Sequence, residues 1–304
     1  MATTYWGLDL GGTKIEGVVI DQNGQVLSRR RIATEQEYGY DHILNRIKEL
    51  IGLLQAETGV EPHAVGIGTP GTIDPPTGLL KNSNTLVLNG KPVREHLEQR
   101  LGIPVLLAND ANCFALAETK MGCVQEFKPD ARLVFGIIMG TGVGGGIVID
   151  GHIWGGLQGI GGEWGHSFLD ASGGNCYCGH VGCVETLISG PALERFYASL
   201  SGEKKHLTDI IAARADDPHA AATVERLLHF FGKGVANLVN ILDPDAIILG
   251  GGLGNIDLLY SEGVDRVRSF VFNPRLDTPL LRPKLGDSAG VFGAAMLVKN
   301  LLPS

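Results

Sequence analysis

Basic residues are in deficit: 25 Lys and Arg stand against 33 Asp and Glu, a net charge of −8. That balance argues against nucleic acid as the main partner, because a phosphate backbone is neutralised by Lys and Arg. A nucleotide stays open, since backbone N–H groups and Mg²⁺ can hold phosphates. Long apolar runs are missing too. No stretch approaches the roughly 20 apolar residues of a membrane helix, and the start MATTYWGLDLGG has neither the basic flank nor the apolar centre of a secretory signal. No membrane partner is expected. There is no G-K-[ST] element, so a Walker loop is excluded. Cysteine is sparse, with 5 residues. Three sit together as candidate metal ligands while Cys113 and Cys123 stand alone, a usage that suits a reducing, cytoplasmic location.

What remains is an ordinary soluble composition, 44% hydrophobic and 19% charged, with one excess: 44 glycines. Tight turns and close backbone approaches are therefore expected. At 304 residues the chain has room for about two domains.

The densest chemistry lies between Glu163 and Glu185, which reads EWGH, a loop, then CYCGHVGCVE. His166, Cys176, Cys178 and Cys183 form a one-histidine, three-thiolate set, a recognised closed tetrahedral site for structural Zn²⁺. Four protein ligands leave no open position, so the metal acts as a staple for a loop with little apolar surface of its own. Glu163 and Glu185, at the ends of the run, would be held in fixed places.

Two glycine turns look like phosphate cradles. The first follows an apolar strand over residues 4–10: Asp9 at its end, then Gly11, Gly12, Thr13 and Lys14, then a returning strand over 15–20. Glycine lets the backbone approach an anion, and Asp9 could hold Mg²⁺ through water. The second, Gly140, Thr141 and Gly142 within MGTGVGGG, lies between strands at 133–138 and 147–149. A strand, not a helix, follows it, so the dinucleotide fingerprint is rejected. The two turns are expected to grip one polyphosphate from two lobes.

Between them, residues 41–58 carry helical spacing with Asp41 as a possible cap, residues 64–69 read as a buried strand, and residues 74–90 as a loop holding Asn84. Asn84 either serves a turn or contacts sugar. A strand at 105–108 ends in Asn109-Asp110-Ala111-Asn112. Asp110 either caps the next helix or faces the ligand crevice of an α/β sheet; the second phosphate turn favours the latter. Further on, Asp217-Pro218 opens a long helix whose stripe of Val224, Leu227, Leu228, Phe231, Val235, Leu238 and Leu242 is core. A strand at 245–249 leads into Gly250, Gly251 and Gly252, where a flat adenosine ring can approach the backbone. Residues 288–299 suggest a closing helix on the first lobe.

With these pieces in place, the sequence resembles the ROK family of sugar kinases over essentially its full length. The residues that carry the likeness are DLGGTK (9–14), NDAN (109–112), GTGVGGG (140–146), EWGH (163–166), CYCGHVGCVE (176–185) and LGGGL (249–253). Residues 68–90 and EWGH resemble the fructokinase or mannokinase branch more than the N-acetylhexosamine branch, although Ser167-Phe168 departs from it. The resemblance implies an α/β, actin-like (ribonuclease-H-like) duplicated two-lobe fold with a structural zinc loop, and ATP with Mg²⁺. It implies phosphorylation of a hexose, fructose first, at the 6-hydroxyl, with an N-acetylhexosamine as the alternative acceptor. Asp110 would be the general base. Asn109, Glu163, His166 and Glu185 would bind sugar hydroxyls, and Gly11, Gly12, Thr13, Thr141 and Gly142 would hold phosphates. The lobes are expected at 1–115 with the closing helix 288–304, and at 116–287. A homodimer is implied. A sugar-responsive repressor of the same family would carry a helix-turn-helix ahead of the first turn, for which nine residues leave no room.

Overall fold

The computed structural model of the protein describes residues 3–301. Strands β1 (Thr4–Leu10), β2 (Lys14–Asp21) and β3 (Val26–Ala33) form an antiparallel meander. At the β2–β3 turn, Asp21 Oδ1 accepts N–H bonds from Asn23 and Gln25, and Gly24 takes the left-handed φ of 81°. Helix α1 (Tyr40–Thr58) buries Ile43, Leu44, Ile47, Leu50, Ile51 and Leu54. It starts one residue ahead of Asp41, which lies in its first turn and pairs with Arg100; Gly39 holds the cap position instead.

The chain continues through β4 (Val65–Thr69), a small hairpin of β5 (Thr72–Ile73) and β6 (Leu80–Lys81), α2 (Val93–Leu101), β7 (Val105–Asn109), α3 (Asp110–Lys120) and α4 (Cys123–Phe127). The first sheet runs β3-β2-β1-β4-β7, with β1, β4 and β7 parallel. The plan is then repeated. Strands β8 (Leu133–Met139), β9 (Val143–Ile149) and β10 (His152–Ile153) form a second meander. After α5 (Glu185–Ile188), α6 (Gly190–Ser201), α7 (Leu207–Ala212) and α8 (Pro218–Leu242) comes β11 (Ala246–Gly250), then α9 (Glu262–Phe270), β12 (Leu280–Leu281) and α10 (Ala289–Lys299). The second sheet runs β10-β9-β8-β11-β12, again with its last three strands parallel. A meander followed by two parallel strands, made twice, is the actin-like, ribonuclease-H-like duplicated α/β fold.

One expected loop is shorter than its glycines suggest. Strand β9 begins at Val143, so Gly144 to Gly146 are strand residues. Their small size serves packing: a Cβ on Gly146 would meet Ala111 O at 2.6 Å, and one on Gly145 would meet Gly162 O at 2.6 Å. The α8 reading holds at its start, where Asp217 Oδ1 accepts from His219 and Ala220 N–H and Pro218 follows.

The chain divides into two compact units, one made of residues up to 129, 146–161 and from 284 on, the other of 130–145 and 162–283. In the first, α10 lies against β1 and β4 at points where Gly7 and Gly66 carry no side chain; a Cβ on either would strike the helix backbone. Among the described residues no helix is long and apolar enough to cross a membrane.

The far end of α3 is fixed by a buried acid. Glu118 is inaccessible to solvent, and its carboxylate accepts backbone N–H bonds from Cys123 at 2.9 Å, Lys284 at 3.0 Å and Leu285 at 2.7 Å. Replacing it by alanine removes the acceptor for all three. At about 1–3 kcal/mol for each buried donor left unsatisfied, Glu118→Ala should cost about 3 kcal/mol or more. The check is urea unfolding, where a midpoint equal to the parent's would refute this account of Glu118.

Candidate functional site

The parallel strands β1, β4 and β7 end side by side, and their ends carry the first group of polar residues. Asp9 lies one residue before the end of β1, opposite Gly68 on β4. Glycines make room for it: a Cβ on Gly290 would sit 3.3 Å from Asp9 Cγ, and one on Gly68 would sit 3.4 Å from Oδ1. Beyond Asp9 the hairpin turns through Gly11, whose N–H donates to Lys14 O (3.0 Å) and whose carbonyl accepts Thr34 Oγ1 (2.6 Å). Gly12 is partly exposed, and Thr13 and Lys14 are exposed at the turn.

Asn109 closes β7 and caps α3, its Oδ1 accepting Ala111 N–H at 3.0 Å while Nδ2 donates to Gly71 O at 3.3 Å. Asp110 follows as the first residue of the helix, with Oδ1 accepting the same Ala111 N–H at 2.8 Å. Asn109 takes the capping position, shared at Ala111 N–H with Asp110, and Asp110 keeps an accessible edge. Asn84 is also exposed, between buried Ser83 and Thr85. Its loop is braced by Asn89, which accepts Ser83 N–H and donates to Ser83 O, both at 2.9 Å. Sequence reading passes over Asn89, because an asparagine before glycine looks like any turn residue.

The carboxylates here have little compensation. Burial, then the negative charges of Asp110 and Glu16, push Asp9 up to about 6, against the pull of Lys14 and Arg31. Burial also raises Asp110, opposed by the Ala111 N–H and the Asn109 side chain. Cys113 packs below them fully buried, and burial keeps its thiol well above the usual range. Glu16 differs: burial would raise it, but hydrogen bonds from Arg31 and Arg29, at 2.6 and 2.5 Å, hold it below the usual carboxylate range.

The second unit gathers its own set. The turn Gly140-Thr141-Gly142 closes β8 and β9, with Gly140 N–H donating to Gly142 O at 2.9 Å. Gly250 ends β11, the parallel neighbour of β8, so Gly250, Gly251 and Gly252 leave the sheet beside that turn. Gly251 has φ 75°, and a Cβ there would collide with the Met139 backbone. Glu163 precedes the short 3₁₀ turn Trp164–His166, and its carbonyl accepts His166 N–H at 3.2 Å. Glu185 opens α5, and its Oε2 accepts Val143 N–H at 2.9 Å.

His166, Cys176, Cys178 and Cys183 converge, their donor atoms all within 4.8 Å of one another. Cys178 Sγ lies 3.6 Å from Cys183 Sγ, and Cys176 Sγ lies 3.6 Å from His166 Nδ1. Tetrahedral Zn²⁺ with Zn–S near 2.3 Å and Zn–N near 2.0 Å places its donors about 3.4–3.8 Å apart, so the four residues fit that ion. His166 Nε2 meets Tyr177 Oη at 3.0 Å, a contact that the ligand spacing gives no sign of. Burial pushes the Cys183 thiol up to about 12, a direction that a bound dication would reverse.

A duplicated meander-plus-parallel sheet, with a glycine turn closing the first hairpin of each copy, defines an actin-like α/β protein. The chain belongs to the ROK family, whose match covers residues 5–301. It is 39% identical to an N-acetyl-D-glucosamine kinase of Aliivibrio fischeri, the match covering 96% of this chain and 98% of that one. Among solved structures it resembles a ROK hexokinase from Thermus thermophilus, at 34% identity and a TM-score of 0.87, covering 98% of this chain and 100% of the other. It also resembles a ROK family glucokinase from Streptomyces griseus in complex with glucose and AMPPNP, at 31% identity and a TM-score of 0.78, with the same coverage of both chains.

The raised Asp9 has a pH consequence. Because the folded protein holds this proton more tightly than an unfolded chain, with a pKa of about 6 against 3.8, the group lowers stability as pH rises from about 4 to 6. The loss amounts to about 3 kcal/mol at most and is constant above that window. Asp9→Asn removes the effect. In nucleotide- and metal-free buffer, its stability advantage over the parent should grow between pH 4 and 6 and then level off in urea titrations. A gap independent of pH would contradict the assignment.

Proposed function

We propose that the protein is an ATP-dependent kinase that phosphorylates an N-acetylated hexose, N-acetyl-D-glucosamine foremost, at its 6-hydroxyl. One observation carries the chemistry: Asp110 stands with an accessible edge at a parallel strand end next to Asp9, sharing the Ala111 N–H with the capping Asn109. Its raised pKa makes it a stronger base than a solvated carboxylate. In this reading Asp110 takes the proton of the sugar hydroxyl while that oxygen bonds the γ-phosphorus and the bond to the bridging oxygen breaks, releasing ADP. The turns at Gly11–Lys14 and Gly140–Gly142 offer backbone to phosphates, and Gly250–Gly252 offers a flat approach for adenosine. Asp9 would hold Mg²⁺ through water, and that ion neutralises phosphate charge when bound.

Fructose, the sugar first expected, yields to the N-acetylhexosamine alternative. The full-length likeness to an N-acetyl-D-glucosamine kinase at 39% identity supports it, and so does the departure of Ser167-Phe168 from the fructokinase pattern. Asn84, Asn109, Glu163, His166 and Glu185 are the proposed partners of sugar hydroxyls. Zn²⁺ bound by His166, Cys176, Cys178 and Cys183 would hold the loop that carries Glu163 and Glu185 at its ends.

Three measurements test this reading. Asp110→Asn should keep the parent's unfolding midpoint or exceed it, yet lose about 10²–10⁴-fold in kcat; near-normal turnover would remove Asp110 from the role of base. In coupled ATP assays across hexoses, N-acetyl-D-glucosamine should give the highest kcat/KM, and a higher value for fructose would reverse the sugar choice. Metal analysis of the purified protein should find one zinc per chain, lost in Cys178→Ser; a zinc-free parent would reject the structural ion.

A further inference from the structure

Glu185 does more in the second unit than border the cysteine loop. Its Oε2 accepts the Val143 N–H at 2.9 Å, at the exit of the Gly140–Gly142 turn. Gly142 is open to that carboxylate, since a Cβ there would lie 2.5 Å from Oε2. Five residues on, Gly190 N–H donates to Gly140 O at 2.9 Å, at the entrance of the same turn. The segment 185–190 therefore brackets the turn at both ends, once by a side chain and once by the backbone. Upstream it continues directly from Cys183, and Val184 N–H donates to Ser167 O at 3.0 Å, next to His166. The wall carrying EWGH and the glycine turn are thus joined through one short run of chain.

Resting on the kinase reading above, we propose that Glu185 is a positioning residue that couples acceptor to nucleotide. Oε2 holds the phosphate turn through Val143, and Oε1 takes a sugar hydroxyl. A hydroxyl donated to one oxygen fixes the rotamer of the carboxylate, and so fixes the acceptor of the Val143 N–H. Sugar bound at one face of Glu185 then makes the turn cheaper to order when phosphate arrives, a coupling of the kind that reaches 5-fold or more in affinity. A glutamine in this place can still accept the Val143 N–H through its amide oxygen, but it turns an amide donor, not an acceptor, toward the sugar.

The experiment is calorimetric titration of the non-hydrolysable ATP analogue AMPPNP with Mg²⁺, with and without saturating N-acetyl-D-glucosamine. In the parent protein the sugar should tighten the analogue about 5-fold or more. Glu185→Ala should weaken the analogue about 5–10-fold with no sugar present, the loss of one backbone-to-carboxylate hydrogen bond. Glu185→Gln should bind the analogue in sugar-free buffer about as the parent does (within roughly twofold), yet show no tightening by sugar. Two results overturn the proposal: Glu185→Ala with the parent's sugar-free affinity, or Glu185→Gln that keeps the sugar-induced tightening. Should Glu185→Ala fail to fold, the glutamine variant decides alone. Failure of the kinase reading looks different, because the parent itself would then bind no AMPPNP.

Discussion

A buried carboxylate whose like-charged neighbours outweigh its cations sets the character of the strand ends in the first unit. Across β1, β2 and β3 the residues Asp9, Glu16 and Arg31 stand in one row. Glu16 takes both nearby guanidinium groups, from Arg29 and Arg31. For Asp9, burial and the like charges of Asp110 and Glu16 outweigh the pull of Lys14 and Arg31, and its carboxyl rises accordingly. A side chain in that position is a cost to folding that a mutation to asparagine would relieve. A cation held through water, as proposed above for Mg²⁺, or a proton would offset that cost. The surrounding packing prepares for it: Gly68 and Gly290 face the carboxylate with hydrogen atoms where other residues would put carbon.

The glycine excess, read from composition as a sign of turns and close backbone approaches, serves both: many glycines take the left-handed φ of turns, and others make room for packing. Gly7 and Gly66 let α10 settle on β1 and β4, Gly293 lets it meet Cys113 on α3, and Gly146 lets β9 pass the start of that helix. The result is that α3, with Asp110 at its first position, is fixed along its whole length. Asn112 Oδ1 accepts Ile147 N–H at 3.3 Å near one end, and Glu118 gathers three backbone donors near the other. If Asp110 is the base proposed above, such a mounting is what precise approach to a hydroxyl requires.

How much of this was legible depends on whether the determinant is local. The strands around Asn23-Gly24, the long helix behind Asp217-Pro218 and the run into Asn109-Asp110 were readable because period, cap and turn chemistry lie within a few residues of one another. The convergence of His166, Cys176, Cys178 and Cys183 was readable because these donor types are chemically rare in combination. The strand character of Gly144–Gly146 was not, since what excludes a side chain there is Ala111 and Gly162, distant in sequence. Asp41 misled for the opposite reason: the helix starts at Tyr40 with Gly39 as its cap, so Asp41 sits second in the helix and pairs with Arg100, from a helix more than fifty residues away. Nor does anything local announce that Asn89, rather than Asn84, is the residue bracing that loop.

The choice of sugar is the least legible property, and the geometry indicates why. The proposed acceptor groups Glu163, His166 and Glu185 sit at ends of short 3₁₀ or helical turns, in a segment whose conformation depends on bonds between loops. Leu169 and Asp170 both donate to Gly182 O, Gly182 N–H donates to Gly174 O, and α8 reaches over with Arg226, whose Nη2 donates to Ser172 O at 3.1 Å. Arg226 is itself held between the rings of Phe196 and Phe230. A change at Ser167 or Phe168 would therefore shift the segment carrying Glu163 and Glu185 through its scaffold without touching any residue named in a motif. Full-length likeness samples that scaffold as well as the motif, which is why it weighs on the choice of sugar proposed above.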